Sequence, residues 1–201
     1  ASDVYKRQVW EDIAVLRVLE MAEDAPEFED WLAQQPEGTA WDEYDQQFVR
    51  YRFLTRNLQT GEESVLVDTS ENFVMTVDPH RSWGQYAVYQ VDSSLYVYDL
   101  EKQAAKKLFT YEQNWDYYNY MILDGHVIAV CGTEDICRVR AINIADGTVT
   151  ELTTLSGRGM AFSIEYECNG YFVGLMDSDE VAQYYISKED FYRSNYDGAF
   201  R

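Results

Sequence analysis

Chemistry in a protein needs a nucleophile beside a base, paired acids, a metal-ligand cluster or a phosphate-binding loop, and each leaves a spacing in the sequence. A serine hydrolase of the α/β type needs G-x-S-x-G; the nearest approach here is Ser156-Gly157-Arg158-Gly159, which reads as a loop. His80 follows Pro79 in a turn and His126 opens a strand. With only those two histidines, a Ser-His-Asp set has little to draw on. Acidic neighbours such as Glu134-Asp135 and the Asp177, Asp179 and Glu180 group are expected wherever Asp and Glu number 36, and solvated loop charges are their ordinary role. Ser156-Gly157-Arg158-Gly159 does not precede a helix, so it is no phosphate loop. No D-x-[DN]-x-[DN]-G loop offers calcium ligands, and neither histidine lies near a second ligand set for zinc. The expectation is a chain without catalysis, cofactor or metal.

Three cysteines remain, Cys131, Cys137 and Cys168. Cys131 and Cys137 flank 132–136, which reads as a hairpin connection. They can face each other as a cross-strand disulfide if their Cα atoms come within about 7 Å, or stay as buried free thiols.

The elements that must position these residues repeat. Asn57, Asp99 and Asn143 lie 42 and 44 residues apart. Leu58, Leu100 and Ile144 follow them, and Leu66, Leu108 and Leu152 come eight residues later. Each set is a strand, a turn and a strand, and a period of 40–45 with four strands per unit marks a β-propeller blade. The predicted fold class is therefore all-β: a partial β-propeller of about four four-stranded antiparallel blades, with a short helical insertion near the N-terminus. Blade 1 covers about 9–70 with the insertion at 22–46, blade 2 about 71–111, blade 3 about 112–155, and blade 4 about 156–201, truncated. Predicted strands in blade 2 are 73–78, 85–91, 94–100 and 105–110. In blade 3 they are 117–123, 126–131, 137–144 and 148–155. Blade 4 offers 160–168, 171–177, 181–187 and 190–195. Its turn is expected at Asp197-Gly198, with Phe191-Tyr192 matching Leu95-Tyr96; an alternative register puts that turn at 187–190. Residues 13–21 fit either a strand or a helix: Ala, Leu, Arg and Glu favour helix, the place before a blade favours strand, and strand is preferred. In the insertion, Asp24-Ala25-Pro26 starts a helix carrying Phe28, Trp31 and Leu32 on one face.

The stretch from Asp78-Pro79 through Ala87-Val88-Tyr89 to Leu95-Tyr96-Val97-Tyr98-Asp99-Leu100, with the turn Leu58-Gln59-Thr60-Gly61-Glu62, resembles the repeat of TolB-like and dipeptidyl-peptidase-like propellers. The Tyr-rich run from Phe191 to Gly198 resembles bacterial extracellular propeller domains. The resemblance covers roughly 45–200. It implies a bacterial, extracytoplasmic propeller that serves as a binding platform, or as the substrate gate of a serine peptidase whose catalytic domain lies outside this chain; fold alone does not choose.

The segment Asp3-Val4-Tyr5-Lys6-Arg7-Gln8 resembles the translation of a transposon end used in sequencing libraries, so 1–8 are expected to be a non-native scar; the alternative is an ordinary N-terminal segment. A signal segment would then be missing from this chain.

The formal charge of −20 excludes phosphate-dominated partners, so no nucleic acid is expected. No apolar run reaches the length of a membrane span. Loops on a rigid scaffold are where binding resides. The rim bearing the longer connections, 111–116, 132–136, 155–159 and the insertion, collects Trp115, Asp116, Tyr117, Glu134, Asp135 and Arg158, with Trp31 and Trp41 on the insertion. A protein, peptide or glycan ligand suits that composition. The intact protein is expected to be monomeric, whereas this chain by itself is expected to be marginally stable or to associate.

Overall fold

The structure, a computed structural model, describes residues 2–36, 41–69, 84–156, 161–177 and 181–195. It is all-β, a partial β-propeller of about four blades. Four antiparallel sheets follow one another along the chain. The first contains β1 (Ser2–Trp10), β2 (Ile13–Met21), β3 (Val49–Asn57) and β4 (Glu63–Thr69), in that order. Helices α1 (Phe28–Leu32) and α2 (Trp41–Phe48) lie between β2 and β3. The second sheet has β5 (Tyr86–Val91), β6 (Ser94–Asp99) and β7 (Ala104–Thr110); the strand expected at 73–78 lies outside the described residues. The third has β8 (Tyr117–Leu123), β9 (His126–Gly132), β10 (Ile136–Asn143) and β11 (Val149–Ser156). The fourth has β12 (Ala161–Cys168), β13 (Tyr171–Asp177) and β14 (Val181–Ser187), followed by α3 (Lys188–Tyr192). The chain divides into two compact units, Ala1–Asp92 with Tyr98–Lys106, and Ser93–Val97 with Lys107–Arg201.

In the first unit β2 is a strand despite its helix-forming composition. It pairs along its whole length with β3 and along most of it with β1, so ladder bonds on both edges outweigh a propensity worth a few tenths of a kcal/mol per residue. Both of its faces are buried, with Ala14 and Val15 almost fully enclosed. The backbone of Ser2–Trp10 forms β1 and pairs with β2, so the segment expected to be a scar takes part in the sheet. The insertion holds two helices where the sequence showed one. Phe28, Trp31, Tyr44 and Phe48 form a chain of ring contacts between them, and Trp31 and Tyr44 are buried. Its neck is closed where Ala22 N–H donates to the Phe48 carbonyl at 2.8 Å. Helix α1 starts later than Asp24-Ala25-Pro26 predicted: Glu27 is its N-cap, and no side chain caps it.

The sequence repeat has a local cause. Asn57 Oδ1 accepts from the N–H groups of Gln59 and Thr60, Asp99 Oδ1 from Glu101 and Lys102, and Asn143 Oδ1 from Ala145 and Asp146. Each is an Asx turn at the end of a third strand, where a short acceptor substitutes for the lost ladder partner. Four residues on, the backbone turns left-handed: Gly61 (φ 75°), Gln103 (φ 49°) and Gly147 (φ 79°). Glycine reaches that region without a Cβ clash, which explains two of the three choices.

The fourth blade departs from the preferred register. Ser187, not Asn195, ends its third strand, as in the alternative register, and a helix begins there in place of the expected turn, while Asp197-Gly198 lies outside the described residues. Ser187 Oγ accepts from Asp190 N–H, capping α3. Residues 188–192, expected within or beside a strand, are helical. The residue four beyond Ser187 is Phe191, which disfavours a left-handed backbone; it stays helical and is buried in the core. That core, within the second unit, joins Met121, Ile128, Val130, Cys137, Val139 and Ala141 of the third sheet to Ile164, Phe172, Tyr184 and Ile186 of the fourth.

Candidate functional site

The third sheet has two faces set by the period of two along its strands. Cys137, Val139 and Ala141 of β10 face the core; Arg138 and Arg140 face the other way, beside Cys131, Ala129, Tyr118 and Tyr120 in register. On that second face lies the connection 111–116, and a charged network ties it down. Arg140, 2% exposed, donates from Nη1 and Nη2 to both oxygens of Glu112 at 3.1 and 2.6 Å and from Nε to Glu151 at 2.6 Å. Arg138 Nη1 adds a bond to Glu112 at 3.0 Å. Burial works to lower the Arg140 pKa, but Glu112 and Glu151 outweigh it and hold the guanidinium charged; its hydrogen bonds draw the Glu112 carboxyl below its ordinary range. The Arg140 guanidinium also lies over Phe109 at 5.4 Å.

This latch positions the rim. Asp116 N–H donates to the Gly132 carbonyl at 2.9 Å, joining the connection before β8 to the one between β9 and β10. Thr133 N–H closes the latter onto Ile136 O at 2.9 Å, and Thr133 Oγ1 accepts from Asp135 N–H. Asp116, Glu134 and Asp135 are thus held at one end of the sheet with their side chains exposed. Trp115 sits there too, but packed inward: it is 6% exposed, its backbone N–H donates to Tyr118 Oη at 2.9 Å, and Arg138 lies over its ring at 5.5 Å. Two donors in this stack, Trp115 Nε1 and Arg138 Nε, are buried and meet no acceptor among the described residues.

The other predicted site residues fall elsewhere. Tyr117 lies on the core face, packed beside the main cluster, with burial and its contact to Cys137 raising its phenol pKa. Arg158 lies outside the described residues, as do His80, Asp179 and Glu180. Trp31 belongs to the other unit, buried in the insertion. The disulfide between Cys131 and Cys137 is corrected: Cys131 pairs with Arg138 and Cys137 with Gly132, so the two side chains point to opposite faces of the sheet. Both are free and buried, and burial pushes the Cys131 thiol up to about 12. His126 stacks on Tyr192 with its Nδ1 2.9 Å from the Asp124 carbonyl oxygen. Among the described residues no group of three or more His, Cys, Asp and Glu could hold a metal. The sequence reading missed Arg138, Arg140 and Glu112. The alternation Arg138-Val139-Arg140 was the available signal, since it puts two cations on one face of a strand.

No family model matches this sequence, and no curated protein matches it. Among solved structures, an oligogalacturonate lyase in complex with manganese superposes with a TM-score of 0.53 at 13% identity, over 90% of this chain and 48% of the lyase. An acylaminoacyl peptidase from Pyrococcus horikoshii gives 0.50 at 10% identity, over 91% of this chain and 32% of the peptidase. The β-propeller domain of the Trilobed protease from Pyrococcus furiosus gives 0.47 at 8% identity, over 92% and 57%. The chain spans about half, or less, of the length of the first and second of these. Likeness at such identity is one of fold.

Proposed function

We propose that this chain is a non-catalytic β-propeller binding platform and that the Trp115–Arg138 end of the third sheet is its ligand surface. The observation that supports this reading is that two buried donors in one ring–guanidinium stack, Trp115 Nε1 and Arg138 Nε, have no acceptor among the described residues. An unsatisfied buried N–H costs about 1–3 kcal/mol, and a ligand oxygen that opened the stack and reached either donor would relieve that cost. Asp116, Glu134 and Asp135 lie exposed at the same end of the sheet, and their negative charge disfavours an anionic ligand and favours a neutral oxygen, the carbonyl of a peptide or the hydroxyl of a glycan. The bacterial, extracytoplasmic setting rests on the TolB-like repeat grammar. No helix among the described residues is long and apolar enough to cross a membrane.

The test is a peptide- and glycan-array screen of the chain, followed by titration of the hits against Trp115→Phe, which keeps the ring and removes the donor. Binding should weaken about tenfold, the equivalent of one hydrogen bond of roughly 1.4 kcal/mol. A ligand bound equally well by Trp115→Phe and by Arg138→Gln would refute the site. The substrate gate of a serine peptidase is the alternative, and the fold likeness to an acylaminoacyl peptidase is compatible with it without favouring it. A reading frame continuing into a G-x-S-x-G segment with Asp and His partners would decide for the gate.

A further inference from the structure

Of the seven asparagines in the chain, Asn169 alone is followed by glycine; the others precede Leu, Ile, Phe, Trp or Tyr. Asn169-Gly170 is the whole loop between β12, which ends at Cys168, and β13, which begins at Tyr171. Both residues have positive φ, 49° and 79°, as a two-residue hairpin loop requires. Asn169 is exposed, and its side chain makes no hydrogen bond among the described residues. Other asparagines are held: Oδ1 of Asn57 and of Asn143 in Asx turns, Asn114 by Ser93, and Asn195 by Asp190. The Gly170 N–H likewise meets no acceptor among the described residues. Nothing lies within 4 Å of the place a Cβ would take at Gly170, so solvent reaches that nitrogen.

We infer that Asn169 is a site of covalent self-modification, at which the side-chain amide is lost to the backbone nitrogen of Gly170. Hydroxide removes the Gly170 amide proton, and the nitrogen attacks Asn169 Cγ. The new C–N bond closes a five-membered imide, and the amide nitrogen leaves as ammonia with a proton taken from water. A water molecule then opens the imide. Cleavage between the nitrogen and Cγ restores the ordinary main chain with an aspartate at 169. Cleavage between the nitrogen and the α-carbonyl carbon leaves the chain running through Cβ and Cγ, an isoaspartate with one more backbone atom. Glycine permits the attack because it has no side chain to shield its nitrogen; the bulky residues after the other asparagines obstruct it.

The two products differ in what they do to the sheet. Asp124-Gly125, the corresponding loop of the third sheet, has φ of 48° and 72°, so an aspartate at 169 fits the same backbone. Isoaspartate does not fit. The two-residue loop sets Cys168 opposite Tyr171, and an added backbone atom disturbs that register. The Gly170 carbonyl also accepts from Lys188 N–H at 3.0 Å, and Lys188 Nζ bonds Asp124 and Glu167, each at 2.7 Å. Reshaping the loop therefore loosens the start of α3, whose Phe191 lies in the core.

The test holds the folded chain for days at about pH 7 and about pH 9, followed by peptide mapping with mass spectrometry. The peptide carrying Asn169 should gain about 1 Da, severalfold faster at the higher pH, while the other asparagines stay intact. Asn169→Asp should show no gain and should melt as the wild type does. The modified fraction, separated from the parent by its added charge, should exchange amide hydrogens severalfold faster over Lys188–Tyr192. Asn169 left intact at both pH values, a rate indifferent to pH, or equal conversion of another asparagine would overturn the inference. Unchanged exchange over α3 would overturn its coupling to the loop.

Discussion

Replacing Glu112 probes the latch that holds the candidate rim. The Arg140 side chain is 3% exposed and the Glu112 side chain 44%, so the two partners do not lose equally when the pair is broken. Removal of Glu112 strands a buried guanidinium that keeps only its bond to Glu151; removal of Arg140 releases a carboxylate already half in water. A charge-assisted hydrogen bond contributes about 1.5–3 kcal/mol, and solvent screening at the exposed glutamate puts the bidentate pair toward the lower end. Glu112→Ala should therefore cost about 2 kcal/mol, equivalent to roughly 4–8 °C in Tm for a chain of this size. In an Arg140→Met background the same change should cost about 0.5 kcal/mol, leaving only the exposed bond to Arg138, so the coupling in a double-mutant cycle is about 1.5 kcal/mol. Urea denaturation followed by circular dichroism measures all four corners. The coupling also has a pH signature. The Glu112 pKa is lowered on folding from 4.5, chiefly by hydrogen bonding to Arg140, so its contribution is complete above that value and disappears as pH falls through the folded pKa. A coupling below about 0.5 kcal/mol at pH 7, or one unchanged in acid, would refute the assignment of this network as the latch.

Asn143→Ala removes an acceptor serving two backbone N–H groups and should cost about 1 kcal/mol, with Asn143→Asp largely retaining stability; equal melts for wild type and Asn143→Ala would contradict the turn's role. Thiol labelling of the native chain should modify Cys168, which is exposed, and reach Cys131 and Cys137 only after unfolding, with three free thiols in total by mass spectrometry.

The repeat of Asn57, Asp99 and Asn143 was legible in the sequence because it is local: an Asx acceptor and the N–H groups two and three residues on belong to one turn, whatever surrounds it. The alternation Arg138-Val139-Arg140 was equally local but went unread, because two cations on one strand face do not name the partner that would bury them. The strand at Ile13–Met21 was only half legible, since its composition favours a helix and its partner β3 lies beyond an insertion of some thirty residues. The second helix of that insertion left too weak a periodicity to be seen.

By itself, then, the sequence determined the blade grammar and the turns that punctuate it, all properties of local chemistry. Tertiary structure alone decided the rest. Strand register separated Cys131 from Cys137, because a one-residue offset sends side chains to opposite faces. Burial of Phe191 turned the expected last strand into α3. Packing of Arg140 against Glu112 and Glu151 joined residues 28 and 11 positions apart into one latch, and no spacing rule records a partner that distant.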